Sequence, residues 1–211
     1  IYQPSAQMTV RVAGGLLGVI AALYQNRAAD YAVIATATAG STIPNFVIAP
    51  LFQLFFALTL KWFPVGGWGD GALVNKVGPI ITLMLPQLAI VARLMRGSMI
   101  EALRSHHIRT ARALGLSDWS VIVRHALRGA LVPVISYAGP AAAALLTGSI
   151  IVETIFGIPG IGRYFVESAL NRDYTVVMGT VVVIAVFTVV FNLIVDVLYA
   201  VIDPRLKTSD A

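Results

Sequence analysis

Residues 93–128 read RLMRGSMIEALRSHHIRTARALGLSDWSVIVRHALR. The stretch holds seven arginines against two acids, Glu101 and Asp118, and its net charge of +5 equals that of the whole chain. On both sides lie apolar segments long enough to cross a bilayer. A basic, helix-prone connector between membrane spans is expected to face the cytoplasm. It is also far longer than the few residues that join most packed helices, so it is expected to present something to a partner.

The rest of the composition agrees with a membrane protein. Of the 211 residues, 58% are hydrophobic and 12% charged, against about 25% charged in a typical soluble domain. The apolar residues come in blocks rather than alternations, and blocks of about 20 indicate membrane helices. Bare backbone finds no water in lipid, so the spans must be helical. The chain has no cysteine, which excludes disulfides, thiol catalysis and Cys-ligated metals. Its positive charge comes from loop asymmetry, and no nucleic-acid partner is expected.

Five spans can be drawn, giving an all-α, polytopic membrane protein. The first runs from Ala6 to Tyr24, although its clean apolar part, Val12 to Leu23, covers only about 18 Å of a core about 30 Å thick. The second, Tyr31 to Leu60, is expected to kink or break at Pro44 and Pro50. The third runs from Val77 to Met95, and the fourth from Gly129 to Val152. The fifth, Thr175 to Ile202, is about 42 Å long and must tilt or protrude.

Loop charge orients them. Connectors at Arg27, across residues 93–128 and at Arg205 and Lys207 carry ten basic residues, and those on the other side carry four: Lys61, Lys76, Arg163 and Arg172. The basic connector and the C-terminus are therefore expected in the cytoplasm. On the outside, KWFPVGGWGDGALVNK (61–76) places Trp62 and Trp68 as interfacial anchors. The other outer connector, ETIFGIPGIGRYFVESALNRDY (153–174), reads as a turn and then a short amphipathic helix from Arg163 to Asn171. Gly157, Gly160 and Gly162 reverse the dinucleotide-binding fingerprint and follow a membrane span, so they fit a tight turn.

Gly115 divides the basic connector. It suits the left-handed position just past a helix from Ile108 to Leu114, and Ser117 and Asp118 suit the start of a second helix, Trp119 to Leu127. Ile108, Ala111 and Leu114 are expected on one face of the first piece, with Arg109 and Arg112 on another. Such a piece is either a surface helix among lipid headgroups or a docking helix seated in a groove of a cytoplasmic protein.

IRTARALGLSDWSVIVRHALRGALVP (108–133) resembles the cytoplasmic signature loop of ABC importer membrane subunits, in particular the oligopeptide and dipeptide permease family, B-type subunit. The likeness continues through GSIIVETIFGIPGIGRYFVESALNRDY and NLIVDVLYAVIDPRLK, and upstream through AALYQNRAADY, STIPNFVIAP and RGSMIEAL. It implies a type I ABC importer permease fold over residues 1–211 as one transmembrane domain, with 93–128 as its cytoplasmic coupling loop. In that family the short loop helix is the coupling helix, which sits in a cleft of the ATPase subunit. The resemblance thus assigns this contact to Ile108, Arg109, Thr110, Ala111, Arg112, Ala113, Leu114, Gly115 and Leu116. Leu114 stands where the family usually has Lys, His106 and His107 replace a more acidic or aromatic pair, and Gly129 replaces Asn. The family also has an extra N-terminal span, six in all, so the chain is expected to be truncated before Ile1 and to lack residues near Arg11.

The resemblance implies a bacterial inner-membrane, multi-pass permease that works with a second homologous permease, two cytoplasmic ATPase subunits and an extracytoplasmic binding protein. Its expected cargo is oligopeptides or dipeptides, with nickel chelates, glutathione and oligosaccharides as alternatives within the family. A secondary transporter or channel is a more remote alternative, since neither paired intramembrane charges nor an inverted repeat is visible. No phosphate-binding G-x-x-x-x-G-K-[ST] loop is present, so the chain is expected to be no enzyme and to bind no cofactor, with ATP and magnesium held by the partner ATPases. His106, His107 and His125 lack a carboxylate or thiol at ligand spacing, and no metal site is expected. Pro140, Thr147 and Ser149 lie in a stretch of small residues that serves either tight packing or a bending, pore-lining helix. Asp196, inside the last span, is read as a structural or water-facing acid rather than a proton relay.

Overall fold

The computed structural model describes the backbone of residues 4–137, 141 and 150–202, and the side chains of 12–137, 141, 150–194 and 197. Among the described residues there are helices and no strand. They are α1 (Pro4–Leu23), α2 (Ala28–Thr42), α3 (Asn45–Phe52) running on as a π-helical turn (Gln53–Thr59), and α4 (Leu73–Arg104). After them come α5 (His106–Ala113) and α6 (Asp118–Ser120), which continues through a π segment (Val121–Ala126) into α7 (Leu127–Ser136). The last three are α8 over 150–156, α9 (Ile161–Leu170) and α10 (Tyr174–Ile202).

The expected spans map onto these helices. By length and composition, two described helices, α4 and residues Tyr174–Ile194 of α10, can each cross a membrane, and Ala28–Thr42 with Asn45–Thr59 passes the same test only when the two are taken together, as an interrupted span or a re-entrant loop. The break falls at Pro44, which caps α3 with extended backbone (φ −65°, ψ 149°). Pro50 does not break its helix, and the distortion appears directly after it as the π turn. α1 is 20 residues long, about 30 Å, so its helix extends well beyond the short apolar part. α4 outruns the expected end of its span, Met95, by nine residues, Arg96 to Arg104, because nothing between them stops a helix. α7 and α8 bracket the fourth span, whose middle lies outside the described residues together with Pro140, Thr147 and Ser149. α10 matches the fifth span, and the Asp196 side chain is also outside the described set.

The chain divides into two compact units, with α4 passing from one to the other between Met84 and Leu85. The first unit comprises residues 2–42 and 85–137. Its core joins Ala22 of α1, Val91, Met95 and Met99 of α4, Ile108 and Ala111 of α5, and Val121, Ala126, Ala130 and Val134 of the helix leading into α7. α1 lies close against α4 because two glycines one turn apart face it. A Cβ at Gly18 would stand 2.5 Å from the Ala92 carbonyl and 2.7 Å from Met95 Cβ, and one at Gly14 would stand 3.0 Å from the Leu88 carbonyl. In lipid such packing gains little hydrophobic transfer energy, so close fit between small residues has to hold the helices together.

The second unit comprises 43–84 and the described residues beyond 138. Phe52 stacks at tilted angles on Phe56, Phe63 and Phe156, with ring centroids 4.8, 5.8 and 6.5 Å away. Val152, Ile158 and Leu83 close this core. Trp68 packs against it, under Lys76 Nζ at 4.9 Å from the ring centroid, while Trp62 is exposed. Of these two tryptophans, Trp62 has the open surface expected of an interfacial anchor. The membrane-length window of α10 is 0% buried, so this helix leaves its apolar sides to lipid or to another chain.

Candidate functional site

The basic connector begins as helix. α4 continues to Arg104, and the backbone then turns extended at Ser105 (φ −67°, ψ 157°) before α5 starts at His106. Ser105 Oγ donates to the Ala102 carbonyl at 2.6 Å, which ties the turn to the end of α4. α5 ends in a Schellman motif. Leu116 N–H donates to the Ala111 carbonyl at 3.3 Å, and Gly115 N–H to the Arg112 carbonyl at 3.0 Å. Gly115 has φ +78°, and nothing lies within 4 Å of the place its Cβ would take, so backbone conformation alone calls for glycine there. Ser117 then caps α6 by accepting from Ser120 N–H at 3.4 Å. The helix, glycine pivot and capped return helix read from the sequence are all present.

The faces of α5 differ from expectation. Ile108 and Ala111 are buried in the chain's own core against Met95, Met99 and Val121. Leu114, expected beside them, is 76% exposed. Steps of 100° explain the split: residue i+3 returns to within 60° of i, whereas i+6 has drifted about 120° round the helix. Arg109, Thr110, Arg112, Ala113, Leu114, Gly115 and Leu116 face outward. Leu114 and, just beyond the turn, the 76% exposed Trp119 add apolar surface to a basic rim. Arg112 and Asp118 approach to 3.9 Å, both largely exposed, and such a contact is worth well under 1 kcal/mol or so.

A second set of contacts, absent from the sequence reading, ties the connector's stem to the turn between α1 and α2. Asp30 is 1% exposed and takes both Arg96 Nε at 2.5 Å and an Arg96 terminal nitrogen at 2.7 Å. Its other donor is Asn26 N–H at 2.9 Å, from a residue with φ +62°. Arg104 donates to Gln25 Oε1 at 3.2 Å, and Arg93 to Ser41 Oγ at 2.7 Å. An acid at the very edge of an apolar segment was the available signal for Asp30. Its partner could not be read from sequence, because the two lie 66 residues apart.

In the other unit, the two connectors expected outside are held to each other. Gln53 Nε2 donates to the Val65 carbonyl at 2.7 Å and the Ile155 carbonyl at 3.1 Å, and Gly67 N–H donates to the Phe156 carbonyl at 2.7 Å. α8 ends in its own Schellman motif at Gly157 (φ +61°), with Ile158 N–H on the Glu153 carbonyl at 2.9 Å. The buried Glu153 carboxylate then accepts Gly162 N–H at 2.9 Å, so an anion sits at the N-terminus of α9. Gly160 and Gly162 leave the space this carboxylate occupies. The glycine turn of the sequence reading is therefore a seat for Glu153. Among the described residues no three His, Asp or Glu side chains converge as metal ligands would.

The chain is 53% identical over 196 residues to the oligopeptide transport system permease protein OppB of Salmonella typhimurium, covering 93% of this chain and 64% of that protein. It is 52% identical to OppB of Escherichia coli strain K12 and 47% identical to the dipeptide transport system permease protein DppB of Bacillus subtilis, each over 93% of this chain. It thus spans somewhat less than two thirds of the length of these curated relatives, 64% of the first and 63% of the last. Among solved structures, the MetNI methionine ABC transporter in inward-facing form aligns with a TM-score of 0.68 at 15% identity, covering 94% of this chain and 93% of that chain. The fold is that of a type I ABC importer permease. The match to binding-protein-dependent transport system inner membrane components runs over residues 14–208, and the chain belongs to that family.

Proposed function

We propose that this chain is the membrane-spanning part of an ATP-driven, binding-protein-dependent importer of oligopeptides or dipeptides. The observation that carries the reading is α5: a short helix on a basic connector, its inner face locked into the core and its outer face left open. An ATPase cleft would grip Arg109, Thr110, Arg112, Ala113, Leu114, Gly115 and Leu116. Ile108 and Ala111 would pass the movement inward rather than touch the partner. The relatives' names support peptide cargo.

In this scheme a second permease completes the pore, and two ATPases hold ATP and magnesium, so this chain does no chemistry of its own. The connectors around Gly66 and Glu153 face the binding protein, and Arg205 and Lys207 lie in the cytoplasm. Pro140, Thr147 and Ser149, outside the described residues, are assigned to the lining of the pore. The test is reconstitution of the full-length subunit with its companion permease, ATPases and binding protein in vesicles. ATP-dependent uptake of labelled peptide that needs every component is expected. Uptake that persists without the ATPases refutes the proposal.

A further inference from the structure

The importer reading assigns movement to α5 but leaves open what α5 moves. The core of the first unit gives one route. Ile108 and Ala111 pack on Met95 and Met99 of α4, and Arg96 lies between those methionines in sequence. Arg93, Arg96 and Arg104 share one side of α4, since offsets of 3 and 11 residues return near the same angle. That side meets the α1–α2 hairpin, through Asp30, Gln25 and Ser41.

Of the three contacts, Arg96–Asp30 is the ion pair, and its acceptor is closed to water. Its side chains are 22% and 1% exposed, and the carboxylate also takes Asn26 N–H. A planar guanidinium gripping both oxygens fixes orientation as well as distance. Buried ion pairs are weak devices for stability, because desolvation offsets most of their attraction. Close packing at Gly14 and Gly18 already holds α1 on α4. What the fork adds beside an interface that packing already secures is a fixed orientation between α4 and the α1–α2 hairpin.

We propose that Asp30 and Arg96 are positioning residues that make the α1–α2 hairpin move with the coupling helix. α5 shifts the methionine side of α4, and the Arg96 fork carries the turn at Asn26 along with it. Loss of the fork lets the hairpin lag while the ATPases still cycle. The proposal rests on the importer reading above.

The experiment uses the assembled complex in vesicles and measures peptide molecules imported per ATP hydrolysed. It also follows the ATP-dependent change in amide hydrogen exchange over residues 24–31. Arg96→Gln and Asp30→Asn are expected to lower the transport ratio at least fivefold and to abolish the exchange response, and Arg96→Lys, which keeps the charge but not the fork, to fall between. Since either single change strands a buried group and could impair assembly, the paired variant Asp30→Leu/Arg96→Met separates the roles. Apolar replacement of a buried pair commonly preserves folding, so assembly should recover while the transport ratio stays low. A paired variant that regains both assembly and the wild-type ratio makes the pair merely structural and overturns the proposal, as do assembled single variants with unchanged ratios. A wild-type complex without ATP-driven uptake refutes the importer reading itself and the coupling role with it. Wild-type uptake with no ATP response at 24–31 refutes only the coupling role.

Discussion

Replacing Gly115 tests whether α5 is held by backbone geometry or by contacts. Its φ of +78° lies in the left-handed region, and no atom stands within 4 Å of a Cβ built there. The cost of Gly115→Ala should therefore be purely conformational, about 1–2 kcal/mol. Gly115→Asn should cost less, because asparagine enters this region readily, and Gly115→Val more. The penalty falls on the two bonds that close the helix, Gly115 N–H to Arg112 and Leu116 N–H to Ala111. Each 1.4 kcal/mol is about a tenfold change in an opening equilibrium, so these two amides should exchange about 5- to 30-fold faster in the alanine variant. Gly129 is the control. It too has no atom within 4 Å of its absent Cβ, but it sits inside α7, where Gly129→Ala should stabilise by about 0.5–1 kcal/mol. Hydrogen exchange read by mass spectrometry on the purified protein measures both. Unchanged protection at 115–116 in Gly115→Ala, or equal effects of Asn and Val, would refute the argument.

Other expectations follow from the same contacts. Ile108→Ala should destabilise the fold by about 2–5 kcal/mol, since it opens a cavity in the core, whereas Leu114→Ala should shift stability by no more than about 0.5 kcal/mol while weakening capture by the proposed ATPase partners. Thermal unfolding and co-purification read the two effects separately, and equal loss of stability in both variants would contradict the inward and outward assignment. Gly18→Ala should force α1 off α4 at a cost of about 1–3 kcal/mol, while Gly15→Ala, with open space around it, should be tolerated. Detergent melting curves that fail to separate these two variants would count against the close packing. At the α9 turn, the three atoms nearest a Cβ on Gly160 all belong to the Glu153 carboxyl group, whereas one on Gly162 would strike the Ile150 backbone first. Glu153→Ala should thus rescue Gly160→Ala and fail to rescue Gly162→Ala, and a double-mutant cycle on stability decides the matter.

Much of this chain follows from order along the sequence. Blocks of apolar residues demand membrane helices wherever they occur, and Pro44 stops one of them by its own ring and missing N–H. Gly115, with Ser117 two residues on, ends one helix and starts the next through bonds that span five residues at most. Such features are legible because cause and effect lie within a turn or two of one another.

The remainder needed the folded molecule. Periodicity shows that Ile108 and Ala111 share a face, but whether that face meets a partner or the chain's own core depends on Met95, Met99 and Val121 lying beside it. The same holds for α4, whose charged end at Arg93 and Arg96 read as the close of a span. Its arginine side meets Asp30, Gln25 and Ser41 from far along the chain, partners that no local pattern shows. Glu153 likewise read as one acid in a glycine-rich turn until Gly162 N–H was found at its carboxylate. The sequence by itself determined which segments are helical and where proline and glycine interrupt them, because those depend on neighbouring residues and on lipid. Which face is spent on the core and which is left for partners was decided only in the tertiary structure, because that requires a second surface to bury the first.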